Sequence, residues 1–168
     1  MSPNADSIEH CVKVPAGYIL ASDTGTLLSP CPPGFYCPSA TPSPLACPMG
    51  HYCPEGSAMP YPCKPGHYCS EFGSPEPTGL CDAGFFCTGG ADHARQFSCT
   101  LGHFCPVGSV SPKACPIGTY LNLNQQDEIT DCKTCPPGKY CDQLALVTPL
   151  TPCPPGRFCN AASNSATG

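Results

Sequence analysis

Cys31-Pro32-Pro33-Gly34-Phe35-Tyr36-Cys37, Cys47-Pro48-Met49-Gly50-His51-Tyr52-Cys53 and Cys63-Lys64-Pro65-Gly66-His67-Tyr68-Cys69 spell one phrase, Cys-x-x-Gly-x-aromatic-Cys, three times in succession. The phrase returns at Cys81 to Cys87, Cys99 to Cys105, Cys135 to Cys141 and Cys153 to Cys159, with a variant starting at Cys115. Self-similarity at a short period marks a repeat architecture, and cysteines bracketing every copy mark a disulfide-stapled one. The expected fold class is therefore small disulfide-rich repeats: an elongated array of short β-turn and β-hairpin units with little helix and no single large core.

Composition points the same way. The 168 residues hold 17 Cys, 24 Pro and 17 Gly, no Trp, and only 11% Asp, Glu, Lys and Arg, well below the roughly 25% charged residues of ordinary domains. Prolines recur too often for long helices. Such cysteine density persists as disulfides only outside reducing compartments, which predicts secretion or a cell surface. Residues 1–20 carry no signal-like apolar run, and no stretch approaches the ~20 apolar residues of a membrane span. The entry signal is thus expected to lie outside this sequence, with the chain a piece of a longer precursor. A net charge of −5 without a basic patch argues against nucleic acid as a partner.

Aligned on their first cysteine, the units start at 31, 47, 63, 81, 99, 115, 135 and 153, so the period drifts while the phrase stays constant. Glycine always sits three residues after that cysteine, often behind proline, as in Pro33-Gly34 and Pro155-Gly156. Pro fixing φ and Gly supplying positive φ predict a type II turn. The rings at Tyr36, Tyr52, Tyr68, Phe86, Phe104, Tyr120, Tyr140 and Phe158 then share one address, and a stacked ladder packing unit on unit against the disulfides is expected. A degenerate leading unit, Val14-Pro15-Ala16-Gly17-Tyr18, places Val14 and Leu20 at the two cysteine positions, with packing retained and the staple lost. The divisions are 1–30 (leading unit and connector), 31–114 (five short units), 115–134 (a longer variant), 135–159 (two further units) and 160–168 (a tail). An extended rise of ~3.3 Å per residue over four or five residues predicts about 15 Å per unit, hence a rod of roughly 120 Å.

Two disulfide connectivities fit the arithmetic. Either each phrase closes on itself and leaves Cys11 unpaired, or each phrase joins the next and strands Cys159. Leu121 stands where the second cysteine after Cys115 is expected, and an extra cysteine appears at Cys132. In-phrase closure, favoured here, pairs Cys31 with Cys37, Cys47 with Cys53, Cys63 with Cys69, Cys81 with Cys87, Cys99 with Cys105, Cys115 with Cys132, Cys135 with Cys141 and Cys153 with Cys159. The alternative forces Cys132 onto Cys135 across two residues, a strained geometry.

The run Cys115-Pro116-Ile117-Gly118-Thr119-Tyr120, followed by Asp131-Cys132-Lys133-Thr134-Cys135-Pro136-Pro137-Gly138-Lys139-Tyr140, resembles the ephrin-receptor-like cysteine-rich repeat and, more distantly, modules of tumour-necrosis-factor receptors. That resemblance implies extracellular, non-catalytic modules used as stalks, matrix elements or ligand-binding ectodomains. Long arrays of this kind with Ser-Pro and Thr-Pro connectors also resemble surface glycoproteins of protists and algae, including flagellar mastigoneme proteins.

No catalytic, cofactor or metal site is predicted. Zinc would have to use Cys132-x-x-Cys135 with His51, His67 and His103, but only one paired-cysteine element exists, and the histidine address also accepts Phe35, Phe85, Thr119, Lys139 and Arg157, which predicts an exposed position. Asp127-Glu128 near Asp131 reads as a solvated acidic loop rather than a calcium site, and Asp92-His93 as a polar connector. There is no Asn-x-Ser/Thr sequon. The connectors instead make Thr41, Pro42, Ser43, Pro44, Ser74, Pro75, Ser111, Pro112, Thr148, Pro149, Thr151 and Pro152 candidates for O-linked or hydroxyproline-linked glycans. The functional expectation is an extracellular structural segment of a surface fibre or matrix glycoprotein, self-associating with adjacent copies; the alternative is a receptor ectodomain, whose discriminator is an exposed aromatic patch drawn from Tyr61, Phe72 and Phe97.

Overall fold

Each phrase begins with the turn its Pro and Gly prescribe. The computed structural model describes residues 13–21 and 27–164, and in it Gly34 has φ +84° while the Phe35 N–H donates to the Pro32 carbonyl at 3.1 Å. Positive φ at the third turn position is the type II requirement, which glycine meets without steric cost. The two residues after the turn form a strand that pairs antiparallel with two residues just before the next cysteine. After a leading hairpin, β1 (Tyr18–Leu20) with β2 (Leu28–Pro30), this gives β3 (Phe35–Tyr36) with β4 (Leu45–Ala46), β5 (His51–Tyr52) with β6 (Tyr61–Pro62), and β7 (His67–Tyr68) with β8 (Gly79–Leu80). The series continues with β9 (Phe85–Phe86) and β10 (Phe97–Ser98), β11 (His103–Phe104) and β12 (Lys113–Ala114), and β13 (Thr119–Tyr120) and β14 (Lys133–Thr134). The last hairpin is reduced to a bridge between Lys139 and Pro152. Among the described residues helix is limited to one 3-10 turn, Ile129–Asp131, in the variant unit.

A second turn follows the second cysteine of each unit, or Leu121 in the variant unit, and the sequence reading did not anticipate it. Gly56, Gly73, Gly90 and Gly108 carry positive φ there, and the same place is taken by Ala40, Gln125, Ala145 and Ala162 at φ of 59°, 59°, 56° and 63°. Its signal, a glycine three or four residues after the cysteine, is blurred by that one-residue drift and by the Ala and Gln copies. Residues 160–163, expected as a tail, form the second turn of the final unit, with Ala162 N–H donating to the Cys135 carbonyl and Ser163 accepting from Cys141.

The two turns are what join the units. Between the Cys31 and Cys47 units, Gly34 N–H donates to Cys53, Cys47 N–H to Gly34, Gly56 N–H to Cys31 and Cys37 N–H to Ser57, at 2.8–3.0 Å. The same four bonds recur at every joint from there to the last unit. They use only backbone atoms, so connector sequences vary without breaking the ladder; at about 0.5–1.5 kcal/mol net per bond, four bonds are a substantial joint. The leading unit enters the ladder through Val14 and Gly17, which bond Ala40, Cys37 and Cys31. Val14 is buried, as a cysteine surrogate should be, but Leu20 is 43% exposed: lying in β1, it does not occupy the second cysteine place. Leu121 does, with 0% exposure and its N–H donated to Leu146.

Alternate units also touch. The Gly84 α-carbon lies so close to the Gln125 carbonyl oxygen, two units on, that a methyl group there would sit 2.5 Å from it. The expected rise of about 15 Å per unit is therefore too long. That figure treats the chain as extended between phrases, whereas each connector folds back as a hairpin and lets every unit rest on the next two.

Disulfide sulfur replaces an ordinary core. Cys31–Cys37, Cys47–Cys53, Cys63–Cys69, Cys81–Cys87, Cys99–Cys105, Cys115–Cys132, Cys135–Cys141 and Cys153–Cys159 are bonded, and nearly all of these cysteines are buried. Cys11 lies outside the described residues. The ring ladder takes a different form from the expected one. Tyr68 packs on the Cys81–Cys87 bridge of the next unit, and Phe104 clusters with Cys115, Cys132 and Leu121. Both described ring pairs, however, Tyr52 with Tyr61 and Phe86 with Phe97, join the two strands of one hairpin. Partners opposed in register on a hairpin stand close enough for their side chains to meet.

A stability prediction arises at the second turn. An L-residue in the left-handed region costs about 1–2 kcal/mol, and glycine's extra chain entropy takes back roughly 0.5–1 kcal/mol. Ala145→Gly is expected to stabilise the array by about 0.5–1 kcal/mol, read as an upward shift of the denaturation midpoint without a change in slope. An unchanged or lower midpoint would show that the φ of Ala145 carries no such cost.

Candidate functional site

The staple within each unit uses up the described cysteines, and nucleophilic chemistry would need a thiolate. Sixteen cysteines are in disulfides, so none of these carries a titratable thiol. The three repeat histidines, expected to be exposed, are half-buried. Their address lies on the strand beside the turn, where the ring folds back: the Nδ1 atoms of His51, His67 and His103 lie 3.2, 3.3 and 2.9 Å from the carbonyl oxygens of Met49, Pro65 and Leu101. A carbonyl only accepts, so Nδ1–H is the donor in each. These histidines brace the turn two residues behind them. Among the described residues no three His, Cys, Asp or Glu side chains converge to hold a metal ion.

The acidic loop is organised by its own backbone. The Asp131 carboxylate accepts from the N–H groups of Asp127 and Glu128 at 3.2 and 3.0 Å, and Thr130 Oγ1 donates to Glu128. Asp92 and His93 form an exposed pair at 2.5 Å, and that hydrogen bond holds the Asp92 carboxyl below its ordinary value. A second exposed pair joins Arg95 Nε to Asp82 at 2.7 Å, with the guanidinium 5.5 Å from the Phe85 ring centre.

The connector residues divide by accessibility. Pro42, Ser43, Pro75, Ser111, Thr148 and Pro152 are exposed, and Thr41, Pro44, Pro112, Pro149 and Thr151 are half-buried. Ser74 is not a glycan acceptor in this fold. It is 8% exposed, its hydroxyl donates to the Glu71 carbonyl, and its own carbonyl accepts from Cys53. Ser57 and Ser109 are buried in the same way, with hydroxyls on Pro54 and Pro106 at 2.6 Å. The serine after the second turn is a structural closure, which composition alone cannot separate from a surface serine.

Open clefts mark the surface of the described residues. One, of about 420 Å³, is lined by Asp142 to Thr148 with Leu150 and Thr151. Another, of about 170 Å³, lies between Tyr52, Tyr61, Pro54, Glu55, Gly56 and Ser57. The off-register aromatics are all exposed: Phe72 at 71%, Tyr61 at 46% and Phe97 at 45%. No helix among the described residues is long and apolar enough to cross a membrane.

No protein-family model matches the chain. A stretch of 43 residues, 26% of the chain, is 46% identical to the ABC-type transporter claG of Penicillium crustosum, of which it covers 5%. The chain thus spans about one-twentieth of the length of that protein, and the similarity is local.

Proposed function

We propose that this array is an extracellular structural segment of a surface fibre or matrix glycoprotein, acting through its length and its unit-to-unit joints. The observation that carries this reading is the four-bond backbone ladder, which repeats at successive joints regardless of connector sequence. Such an array extends by addition of like units and tolerates varied decoration. The eight disulfides suit an oxidising exterior, and the exposed Ser, Thr and Pro positions suit O-linked sugars, Ser43, Ser111 and Thr148 foremost. Electron microscopy of native, non-reduced material is expected to show regular filaments, and intact mass is expected to exceed the sequence mass by sugar increments. Isolated short particles of unmodified mass would overturn both parts.

A second reading is favoured by one finding, the local similarity to a transporter. On that reading the units form an ectodomain of a membrane protein and present a binding edge to a ligand, with the exposed aromatics as its contact surface. Isolated particles that retain a soluble ligand would select it.

A further inference from the structure

We propose that the cleft lined by Tyr52, Tyr61 and Glu55 binds uncharged sugar residues of a glycan chain, an activity that goes beyond a structural role and does not depend on polymerisation. The two rings pair across their hairpin with centres 5.9 Å apart and planes tilted by 36°, and Tyr61 is 46% exposed. The cleft they border, about 170 Å³, suits one sugar ring. A pyranose presents C–H groups to an aromatic face and hydroxyls at its rim; here the exposed Glu55 carboxylate is the acceptor at the rim. Convergence of an apolar floor with a few polar groups is the usual composition of a small-ligand site.

Charge narrows the ligand class. Lys64 Nζ already lies 5.5 Å from the Tyr52 ring centre, so the ring's attraction for a cation is in use and a second cation would be repelled. A polyanion would gain the single Lys64 ammonium but meet the Glu55 carboxylate and a chain of net charge −5. A neutral, hydroxyl-rich ligand meets neither penalty. The site also has a neighbour. Gly50 of the unit bearing Tyr52 rests on the second turn of the unit bearing Phe86, at Gly90. There Phe86 and Phe97 form a second ring pair, 5.3 Å between centres, with Phe97 exposed and the polar Asp82–Arg95 pair in the same unit. Two aromatic pairs on units in direct contact suit a chain of several sugars better than a single one.

The test is titration of the folded, non-reduced protein with cellohexaose, mannohexaose and chitohexaose, and with their disaccharides, followed by calorimetry and tyrosine fluorescence. At least one hexasaccharide is expected to bind, more tightly than its disaccharide. Tyr61→Ala is expected to weaken it by about tenfold or more, Glu55→Gln to weaken it less, and Tyr61→Phe, which keeps the ring face, to leave it nearly unchanged. Because Tyr61 is exposed, its replacement should leave all eight disulfides formed, checked by mass; if Tyr61→Ala misfolds, the Glu55→Gln and Tyr61→Phe pair carries the test. Absence of binding by all three hexasaccharides, binding indifferent to both Tyr61→Ala and Glu55→Gln, or saturation by tetramethylammonium or a proline-rich peptide in place of a glycan would overturn the proposal.

Discussion

Full reduction is expected to unfold the array at room temperature, with loss of the hairpin signal in circular dichroism and of amide-exchange protection along the ladder. Each bridge of sequence separation 6 removes about 2 kcal/mol of loop entropy from the unfolded chain, and the Cys115–Cys132 bridge, of separation 17, about 3 kcal/mol. Eight bridges together are worth on the order of 15–20 kcal/mol, more than the roughly 5–15 kcal/mol net stability of an ordinary domain. Little else substitutes for them. Among the described residues the buried side chains other than cysteine are few, with Leu121 and Phe104 the largest, and these two cluster with the Cys115 and Cys132 disulfide. A reduced protein that keeps its exchange protection would show that the ladder is self-sufficient.

The next largest effect is expected from a single methyl group. Gly84→Ala places an L-residue at φ +80° and drives its Cβ to 2.5 Å from the Gln125 carbonyl oxygen, with the Gln125 carbonyl carbon at 3.0 Å. The obstacle is backbone held by its own ladder bond, Gln125 N–H to Cys99 at 3.0 Å, so it cannot swing away as a flexible side chain would. Gly138→Ala has the same φ, +80°, but no atom within 4 Å of the new carbon. Both variants carry the left-handed strain of about 1–2 kcal/mol; only Gly84→Ala adds the overlap, which should bring its loss to about 4 kcal/mol or more, in the range of severe single substitutions. Denaturation midpoints of the two variants measured side by side decide the matter. Equal losses would mean that alternate units do not press together in solution.

These two results bear on different parts of what the sequence discloses. The first turn was legible because its cause is local: proline presets one dihedral, glycine admits the next, and the cysteines on either side hold the ends. The in-phrase loop was legible for the same reason, although cysteine counting alone left two connectivities open. Leu121 could be read as a displaced cysteine position, yet its full burial among Phe104, Cys115 and Cys132 could not. The second turn was half-legible, since glycine marks it in four units and Ala or Gln hides it in four others. The exposed Tyr61 and Phe97 were visible as aromatics outside the repeat register. Their pairing with Tyr52 and Phe86 was not, because it depends on the strand register of each hairpin.

By itself, then, the sequence determined the unit: a covalently closed loop of a few residues whose turn, staple and ring follow from the chemistry of neighbouring residues. How units join was decided only by the tertiary structure. The atoms that make the joint are backbone N–H and carbonyl groups, which every residue but proline carries, so no particular residue type announces them. They become a ladder only when both turns of one unit meet both turns of the next. The same cause separates Ser74 from Ser43, two serines alike in composition. The first is closed into a joint and the second stands in solvent, and only the return path of the connector distinguishes them.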